Sequence, residues 1–524
     1  MSANGKNART EPDTTPAVPV RDVVESVAEA EVGSKARKGA VWSAVQILGR
    51  NGISLVSTAV LARLVSPEDY GLIGMVGTLT ALLQVFSDMG LSWATVQRRN
   101  LTQAQVTNLF WLNTLAGLSL WGACVLLAPY LAEFYDRPEL NQVTLVLGAT
   151  FVLGGIAAQP MALLTRKMQF RQTTFIELSS LLVSAVTGIT LAISGWGYWA
   201  LVWQALAGQA VRTILALTIE RPLLKRPRWG VGTRNLVSFG GLLALNGLLI
   251  YFARNLDNVL IGKVWGIDAL GYYNRAYFLM LLPSMMATGV LTNFMVPSLS
   301  AFQNDVARFG WAYRRAVRMV AFIGCPMAVG LALTAPEAVR FIYGEKWDTV
   351  VPMLMWFSIA GVTQPIYNTT GWLFTAAGKA GLYLALTAFN AVVLTLTFFA
   401  TVPLGPVAVA GGYGLVMGLL LLWPAMYLAH RAGGLRLSDT LRVLMPVFVA
   451  LLVMALAVYG TGLLCETLNV PWHLAFGIKV MVGVLSYGIA CAVLLRQLLL
   501  DDVFSMFPTE LGLRVSQWLS LCPK

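Results

Sequence analysis

Charged residues are scarce in this chain of 524 residues. Asp, Glu, Lys and Arg together make up 12% of the sequence and hydrophobic residues make up 57%, whereas soluble domains carry roughly 25% charged residues. The apolar segments are long and continuous and do not alternate with polar residues, which argues against a transmembrane β-barrel. The composition therefore predicts an all-α polytopic membrane protein.

Histidine and cysteine are too few for the usual metal and catalytic sites. The chain has two histidines, His430 and His473, and five cysteines, most of them within or beside apolar segments. This pattern has no disulfide framework and no metal-ligand spacing. A phosphate-binding G-x-x-x-x-G-K-[ST] loop is also missing. We expect no catalytic residues, no metal and no bound cofactor.

Fourteen apolar segments of membrane-spanning length follow a polar start, since each span needs roughly 20 apolar residues. The segment 1–38 lacks the apolar core of a signal peptide, and we expect a disordered cytoplasmic tail. The spans lie near 39–62, 70–93, 106–131, 141–163, 173–194, 197–218, 236–262, 268–297, 316–335, 350–374, 380–402, 405–429, 440–463 and 474–496.

Lys and Arg are concentrated in the loops after even-numbered spans and are sparse in the loops after odd-numbered ones. Because positive loops stay on the cytoplasmic side, both termini are predicted to be cytoplasmic. The same distribution explains the net charge of +12 without a nucleic-acid-binding face.

A short motif recurs at an offset of 200 residues. Aligning Gly71 with Gly271 places Arg63 on Lys263 and Glu68 on Asp268, and in each copy the motif joins an outward-running span to an inward-running one. This predicts parallel repeats about an axis along the membrane normal. The repeat divides the chain into an N-lobe (39–218), a basic cytoplasmic linker (219–235), a C-lobe (236–429), spans 13 and 14 (430–496) and a cytoplasmic tail (497–524).

Ionisable residues within the spans are functional candidates, because charge at bilayer depth is costly unless it faces a bundle interior or a cavity. Arg50 lies near the middle of span 1, on a polar stripe with Gln46. In span 7, Arg254, Asp257 and Asn258 have i, i+3 and i+4 spacing, so they share a helical face. The alternative for Arg254 and Asp257 is an internal ion pair that only fixes helix packing.

The sequence resembles a known transporter family in four places. These are Leu64-Val-Ser-Pro-Glu-Asp-Tyr-Gly71, Phe86-Ser-Asp-Met-Gly-Leu91 with Val96-Gln-Arg-Arg-Asn-Leu-Thr102, Arg254-Asn-Leu-Asp-Asn258 and Leu270-Gly-Tyr-Tyr-Asn-Arg275. They are similar to motifs of the Wzx-type polysaccharide flippases, in the lipopolysaccharide biosynthesis protein branch of the multidrug/oligosaccharidyl-lipid/polysaccharide exporter superfamily.

The resemblance implies two six-helix lobes in a V around a central cavity, with two further C-terminal helices. It also implies transport of an undecaprenyl-diphosphate-linked oligosaccharide from the cytoplasmic to the outer leaflet of a bacterial inner membrane, for exopolysaccharide, capsule or O-antigen assembly. Expected partners are the lipid-linked oligosaccharide, membrane lipids, a polysaccharide polymerase and chain-length proteins. The small-residue spacing Gly414–Gly418 is expected to make an internal contact in a monomer rather than an oligomer interface.

Arginine binds phosphate oxygens through a planar fork that stays ionised. We therefore predict that Arg50, Arg254 and Arg275 bind the diphosphate, with Gln46 and Asn258 as further cavity residues. Alternating access needs an energy source, and a proton or sodium gradient acting at Asp88, Glu177 or Asp257 is the candidate. The alternative for these carboxylates is permanent pairing with arginine.

Two other functions remain open from the sequence. A multidrug or cation exporter of the same superfamily would favour an acidic cavity rather than three arginines within the spans. A membrane polysaccharide polymerase or ligase would need a large external loop, but the longest, about 336–349, is short.

Overall fold

A computed structural model describes residues 29–87, 95, 102–221, 234–303 and 305–494. Fifteen α-helices account for most of this part of the chain, and no strand occurs within it. The helices are α1 Glu29–Leu64, α2 Pro67–Gln84, α3 Gln103–Tyr135, α4 Glu139–Arg166, α5 Phe170–Ile193, α6 Tyr198–Ile219, α7 Arg234–Ala301, α8 Val306–Leu333, α9 Ala335–Ile342, α10 Val350–Ala376, α11 Ala380–Thr401, α12 Pro406–Leu415, α13 Leu422–Ala432, α14 Leu437–Thr467 and α15 Trp472–Leu494.

The structure confirms a multi-span helical membrane protein. Among the described residues, 11 helices are long and apolar enough to cross a membrane. They coincide with eleven of the predicted spans, whereas the spans near 70–93, 236–262 and 268–297 fall on α2 and α7, which are not among the eleven. The total of fourteen therefore remains a prediction. Polar residues explain in part why α2 is not among the eleven, since this helix has Glu68 and Asp69 in its first turn.

The elbow between α1 and α2 is set by local sequence. The hydroxyl of Ser66 accepts a hydrogen bond from the backbone N–H of Asp69 at 3.1 Å, and the Asp69 carboxylate accepts one from the Ser66 backbone N–H at 3.2 Å. This reciprocal capping box satisfies two backbone donors at the start of α2. Pro67 occupies the first turn, where its missing N–H removes no helical bond.

The equivalent elbow of the second repeat lies inside α7. Helical geometry is interrupted at Gly266, which has φ 84° and ψ −172°. Residues with a side chain rarely adopt this positive φ, so the glycine at position 266 allows α7 to divide into a first arm before residue 266 and a second arm after it. The two arms correspond to the predicted spans 7 and 8.

Two helical groups meet mainly through α2 and α7. Helices α1 to α6 pack among themselves, and α8 to α13 pack around α7 and each other. Helices α14 and α15 pack on each other and attach to the second group through α8 and α9. One apolar core joins both groups near the elbows, with Leu61, Met75, Ile267, Leu270 and Trp347 among its buried members.

The predicted internal contact of Gly414 and Gly418 is confirmed, whereas the predicted monomer stays a prediction. Both glycines pack against α10, where an added Cβ at Gly414 would lie 2.2 Å from the carbonyl oxygen of Trp356. At Gly418 the corresponding distance to the oxygen of Ile359 would be 2.9 Å. The spacing therefore serves a close helix contact within one chain.

Candidate functional site

A pocket of about 270 Å³ lies between α1, α5 and α6 in the first group of helices. Arg50 of α1, Glu177 of α5 and Arg212 of α6 line it together with Gln209. At 1.5 Å per residue, Arg50 and Arg212 are each about 21 Å from the elbow-side end of their helix and Glu177 is about 24 Å from it. The pocket thus lies on the side away from the elbows, about 11 Å from the other end of α5 and of α6.

Contacts of α1 show which way its polar stripe faces. Ile47 packs against Gly289 on the second arm of α7, where an added Cβ would lie 3.2 Å from the Ile47 side chain. Gly49 faces α5, since a Cβ there would lie 3.0 Å from the side chain of Leu178. One side of α1 is therefore directed at the other helical group and another at its own.

Arg50 lies between these two sides. Successive residues of an α-helix are rotated by about 100° around its axis. Viewed along α1, Arg50 therefore lies about 60° and Gln46 about 100° from Ile47, both toward the side of Gly49. Leu48 lies in the opposite direction and is 54% exposed, as expected of a lipid-facing residue. The predicted polar stripe of α1 therefore faces the junction of the two helical groups, and the side chain of Arg50 is itself exposed there.

Arg50 makes no hydrogen bond or ion pair with any residue in the described part of the chain, whereas Glu177 is paired. The Nε of Arg212 donates to Oε1 of Glu177 at 2.9 Å, and the two side chains are 35% and 25% exposed. The sequence predictions did not include Arg212. An arginine in the apolar segment Tyr198–Ile219 was the signal that could have found it, because such a cation needs a partner or a cavity.

The serines of the α5 stripe have a structural role. Ser184 donates to the carbonyl oxygen of Gln204 on α6 at 2.8 Å. An added Cβ at Gly208 would lie 2.8 Å from Ser184, so small residues let α5 and α6 approach closely. This close contact holds Glu177 and Arg212 within reach of each other.

The polar cluster of α7 is organised around Asp257, which is 2% exposed. The hydroxyl of Tyr273 donates to Oδ2 of Asp257 at 2.7 Å, and the backbone N–H of Asn258 donates to Oδ1 at 2.9 Å. Tyr273 lies on the second arm of α7, so Asp257 ties the two arms together. The side chain of Arg254, the alternative ion-pair partner of Asp257, lies outside the described residues, and so does the ion-coupling candidate Asp88.

Arg275 lies elsewhere, at the elbow end. Its guanidinium carbon is 4.4 Å from the centroid of the Tyr70 ring, across the junction of the two groups, and this cation–π contact joins α7 to α2. Its Nε is buried and has no hydrogen-bond partner among the described residues. Arg50 and Arg275, predicted to share a cavity, are not brought together in this conformation.

The two glycines of the 200-residue repeat meet at the elbow end. An added Cβ at Gly71 would lie 1.9 Å from the carbonyl oxygen of Ile267, and one at Gly271 would lie 2.2 Å from the carbonyl oxygen of Pro67. The contact of residue 71 with residue 267 and the contact of residue 271 with residue 67 are therefore equivalent under the 200-residue repeat. Such a reciprocal pair of contacts is the pattern produced by a two-fold axis. The pattern agrees with the predicted parallel repeats.

The aligned basic residues Arg63 and Lys263 also make equivalent contacts, each with the opposite group of helices. Arg63 of the first group donates to the carbonyl oxygen of Phe341 in the second. Lys263 of the second group donates to the carbonyl oxygen of Phe134, and pairs with Asp136 at 3.1 Å, in the first. Each elbow therefore holds the opposite group through its own cation.

A segment after α9 completes this elbow-end seal, defined here as residues 62–71, 262–275 and 335–348. The indole N–H of Trp347 donates to the carbonyl oxygen of Ala62 at 2.8 Å, and Lys346 donates to the carbonyl oxygens of Arg63 and Val65 at 3.0 and 2.8 Å. Trp347 is fully buried. The two groups are therefore closed against each other at the elbow end.

A second ion pair, this one buried, was also missed from sequence. Lys479 of α15 and Glu337 of α9 are 2.5 Å apart, with side chains only 10% and 13% exposed. Gly462 of α14 leaves the room for the lysine, because an added Cβ there would lie 3.2 Å from Lys479 Cε. The pair ties the last two helices to the seal.

Comparison with known proteins supports the same architecture. A family model described as "Polysaccharide biosynthesis protein" matches residues 60–352, more than half of the chain. "Lipopolysaccharide biosynthesis protein WzxC" of Escherichia coli (strain K12) is 27% identical over 74% of this chain and 78% of its own length. "Teichuronic acid biosynthesis protein TuaB" of Bacillus subtilis (strain 168) is 27% identical over 86% and 93%.

Solved transporters share the fold. "Lipid II flippase MurJ, inward closed conformation" superposes with a TM-score of 0.70 at 14% identity, covering 88% of this chain and 100% of that one. An inward-facing multidrug resistance MATE family transporter superposes with a TM-score of 0.58 at 16% identity, over 76% and 99%. These similarities confirm the two-lobed fold, and the family match confirms the resemblance found in the sequence, so the two helical groups are called the N-lobe and the C-lobe below.

Proposed function

Because the chain belongs to the polysaccharide biosynthesis protein family, we propose that it is a flippase for an undecaprenyl-diphosphate-linked oligosaccharide. The observation that carries this proposal is Arg50, which has no ion-pair partner among the described residues and lines a pocket beside the lobe junction, on the side away from the closed elbow end. Because the two lobes are closed against each other at the elbow end, a diphosphate would reach Arg50 from the side away from the elbows. The head group would be loaded there and released after the elbow-end seal opens.

The direct test is transport by purified protein in vesicles, measured with a fluorescent lipid-linked oligosaccharide. Arg50→Ala should lower the initial flipping rate at least about tenfold, because a hydrogen bond to a charged group contributes roughly 1.5–3 kcal/mol. Arg308→Ala is the matched control, since its side chain is 74% exposed at the start of α8. Flipping by Arg50→Ala at the rate of Arg308→Ala would contradict the proposal, and transport of a cationic dye instead would favour the drug-exporter alternative.

We place the elbow end on the periplasmic side of a bacterial inner membrane, with both termini in the cytoplasm. Trp196 and Met168 are exposed in the loops before α6 and before α5 and are 51% and 49% exposed. A membrane-impermeant maleimide added to spheroplasts should label Trp196→Cys and leave Met168→Cys unlabelled until the membrane is opened. The reverse labelling would invert the orientation.

Transport is proposed to be coupled to protons or sodium through Asp88, Glu177 or Asp257. Asp257 is buried against Tyr273 and Glu177 is held by Arg212, so both would have to exchange a partner when they bind an ion. Vesicles with an imposed proton or sodium gradient distinguish the two ions. Equal flipping rates with and without either gradient would exclude ion coupling.

A further inference from the structure

We propose that Arg212 is a second ligand for the diphosphate and that Glu177 pairs with Arg212 when no diphosphate is bound. Diphosphate binding is therefore coupled to protonation of Glu177. The inference rests on the proposed function and extends it to residues that the sequence predictions left out or assigned to ion coupling alone. It names a second phosphate-binding group and the proton that accompanies binding.

The bond between Arg212 and Glu177 is a partial one. Only the Nε of Arg212 donates, to one carboxylate oxygen at 2.9 Å, and the terminal guanidinium nitrogens have no hydrogen-bond partner within the described residues. The pair Arg340–Asp348 in the elbow-end seal differs, because Nε and Nη2 of the arginine both donate, at 3.0 and 2.7 Å. Arg212 thus keeps free donors in a pocket that also contains Arg50.

The charges around the pocket match a diphosphate. Glu177 is surrounded by α1, which contributes Arg50, by α6, which contributes Arg212, and by α4, which has no charged residue between Glu139 and Arg166. On α5 itself, Arg171 lies near the Trp42 ring of α1. The lining therefore carries two positive charges and one negative charge. A diphosphate diester carries two negative charges, which two arginines neutralise only when Glu177 is protonated.

The lining of the pocket also contains Gln209, whose side-chain amide is uncharged. The side-chain amide nitrogen of Gln209 is buried and has no hydrogen-bond partner in the described part of the chain. This nitrogen lies toward α4, where an added Cβ at Gly154 would be 3.7 Å from it, so it would reach a ligand in the pocket only after the Gln209 side chain rotates. Gln209 and Arg212 are three residues apart on α6, so both lie on one face of the helix.

The sign of the pH dependence follows from competition. Carboxylate oxygens and phosphate oxygens accept from the same guanidinium, so protonating Glu177 weakens its bond to Arg212 and leaves the arginine to the diphosphate. Affinity should rise as pH falls, by at most about tenfold per pH unit if one proton is taken up per ligand bound. Binding should also withdraw protons from the buffer.

The experiment measures binding of farnesyl-diphospho-N-acetylglucosamine to the purified full-length protein, by calorimetry across neutral pH and in buffers of different ionisation enthalpy. The two phosphates of this probe are diesters, so its own charge is constant over that range. Wild type should bind more tightly at lower pH and take up protons. Glu177→Gln should bind at least about tenfold more tightly at neutral pH and lose both the pH dependence and the proton uptake.

Arg212→Ala should bind at least about tenfold more weakly, with Arg212→Lys in between. If the Arg212–Glu177 pair has only a structural role, Glu177→Gln should lower the thermal unfolding temperature with no gain in affinity. That result would overturn the inference. The glutamine can still accept from Arg212, so this variant is expected to fold.

Arg50→Ala separates this inference from the proposed function. Binding that depends on Arg50 but not on Arg212 or Glu177 would overturn the inference and leave the proposed site in place. Binding that is unchanged in Arg50→Ala would remove the proposed site itself.

Discussion

Adding one methyl group at Gly71 should open the elbow-end seal. The Cβ of Gly71→Ala would lie 1.9 Å from the carbonyl oxygen of Ile267, whereas carbon and oxygen atoms in contact are roughly 3.3 Å apart. Because the obstacle is backbone, α2 and α7 must separate by about 1.4 Å at this point. We expect a loss of roughly 1–3 kcal/mol in the closed conformation, the usual cost of overpacking.

The assay is modification of Val65→Cys by a membrane-impermeant maleimide. Val65 lies within the seal and is 2% exposed, so its cysteine should react slowly in the parent protein and at least about fivefold faster after Gly71→Ala, given the expected loss in free energy. Gly77→Ala is the matched control on the same helix, because nothing lies within 4 Å of a Cβ at Gly77. Equal reaction rates and equal unfolding temperatures for Gly71→Ala and Gly77→Ala would refute this reasoning.

Two other substitutions test the seal and its anchor. Trp347→Phe should lower the stability of the closed form by about 1–3 kcal/mol, since the buried carbonyl of Ala62 loses its indole donor; thermal unfolding is the measurement, and Trp196→Phe, at an exposed site, should leave it unchanged. Lys479→Met should cost about 3–5 kcal/mol because it leaves Glu337 buried without its partner; adding Glu337→Gln should recover most of the loss, and a double variant as unstable as the single one would contradict this explanation.

The pattern of polar residues along the sequence located some candidate residues and missed others. Arg50 was found because it lies near the middle of an apolar span on a polar stripe, and in the structure it lies in a pocket with Glu177. Arg212 has the same kind of sequence signal but was passed over. Its pairing with Glu177 joins residues 35 positions apart on different helices, and spacing along one helix does not reveal such a contact.

The seal shows a different kind of limit. The alignment of Gly71 with Gly271 predicted two equivalent elbows, but it did not predict that each glycine faces the backbone of the other copy. Nor did it assign a partner to Arg63 or Lys263. Those partners, such as Phe341 for Arg63, come from the last turn of a helix, α9 or α3, that the opposite lobe places at the junction.

Hydropathy and charge along the chain determined the helical spans and an expected orientation, while short motifs indicated a repeat of 200 residues and a resemblance to a family. These properties are local, because a span depends on its own apolar length and orientation on the loops beside it. Only the tertiary structure decided that Arg50 and Arg275 lie at separate levels, that Arg212 holds Glu177, and that Trp347 closes the elbow end. The physical reason is that a side chain in a helix bundle takes its partner from whichever neighbouring helix packs against it, and packing between distant segments is set by the shape of the whole assembly.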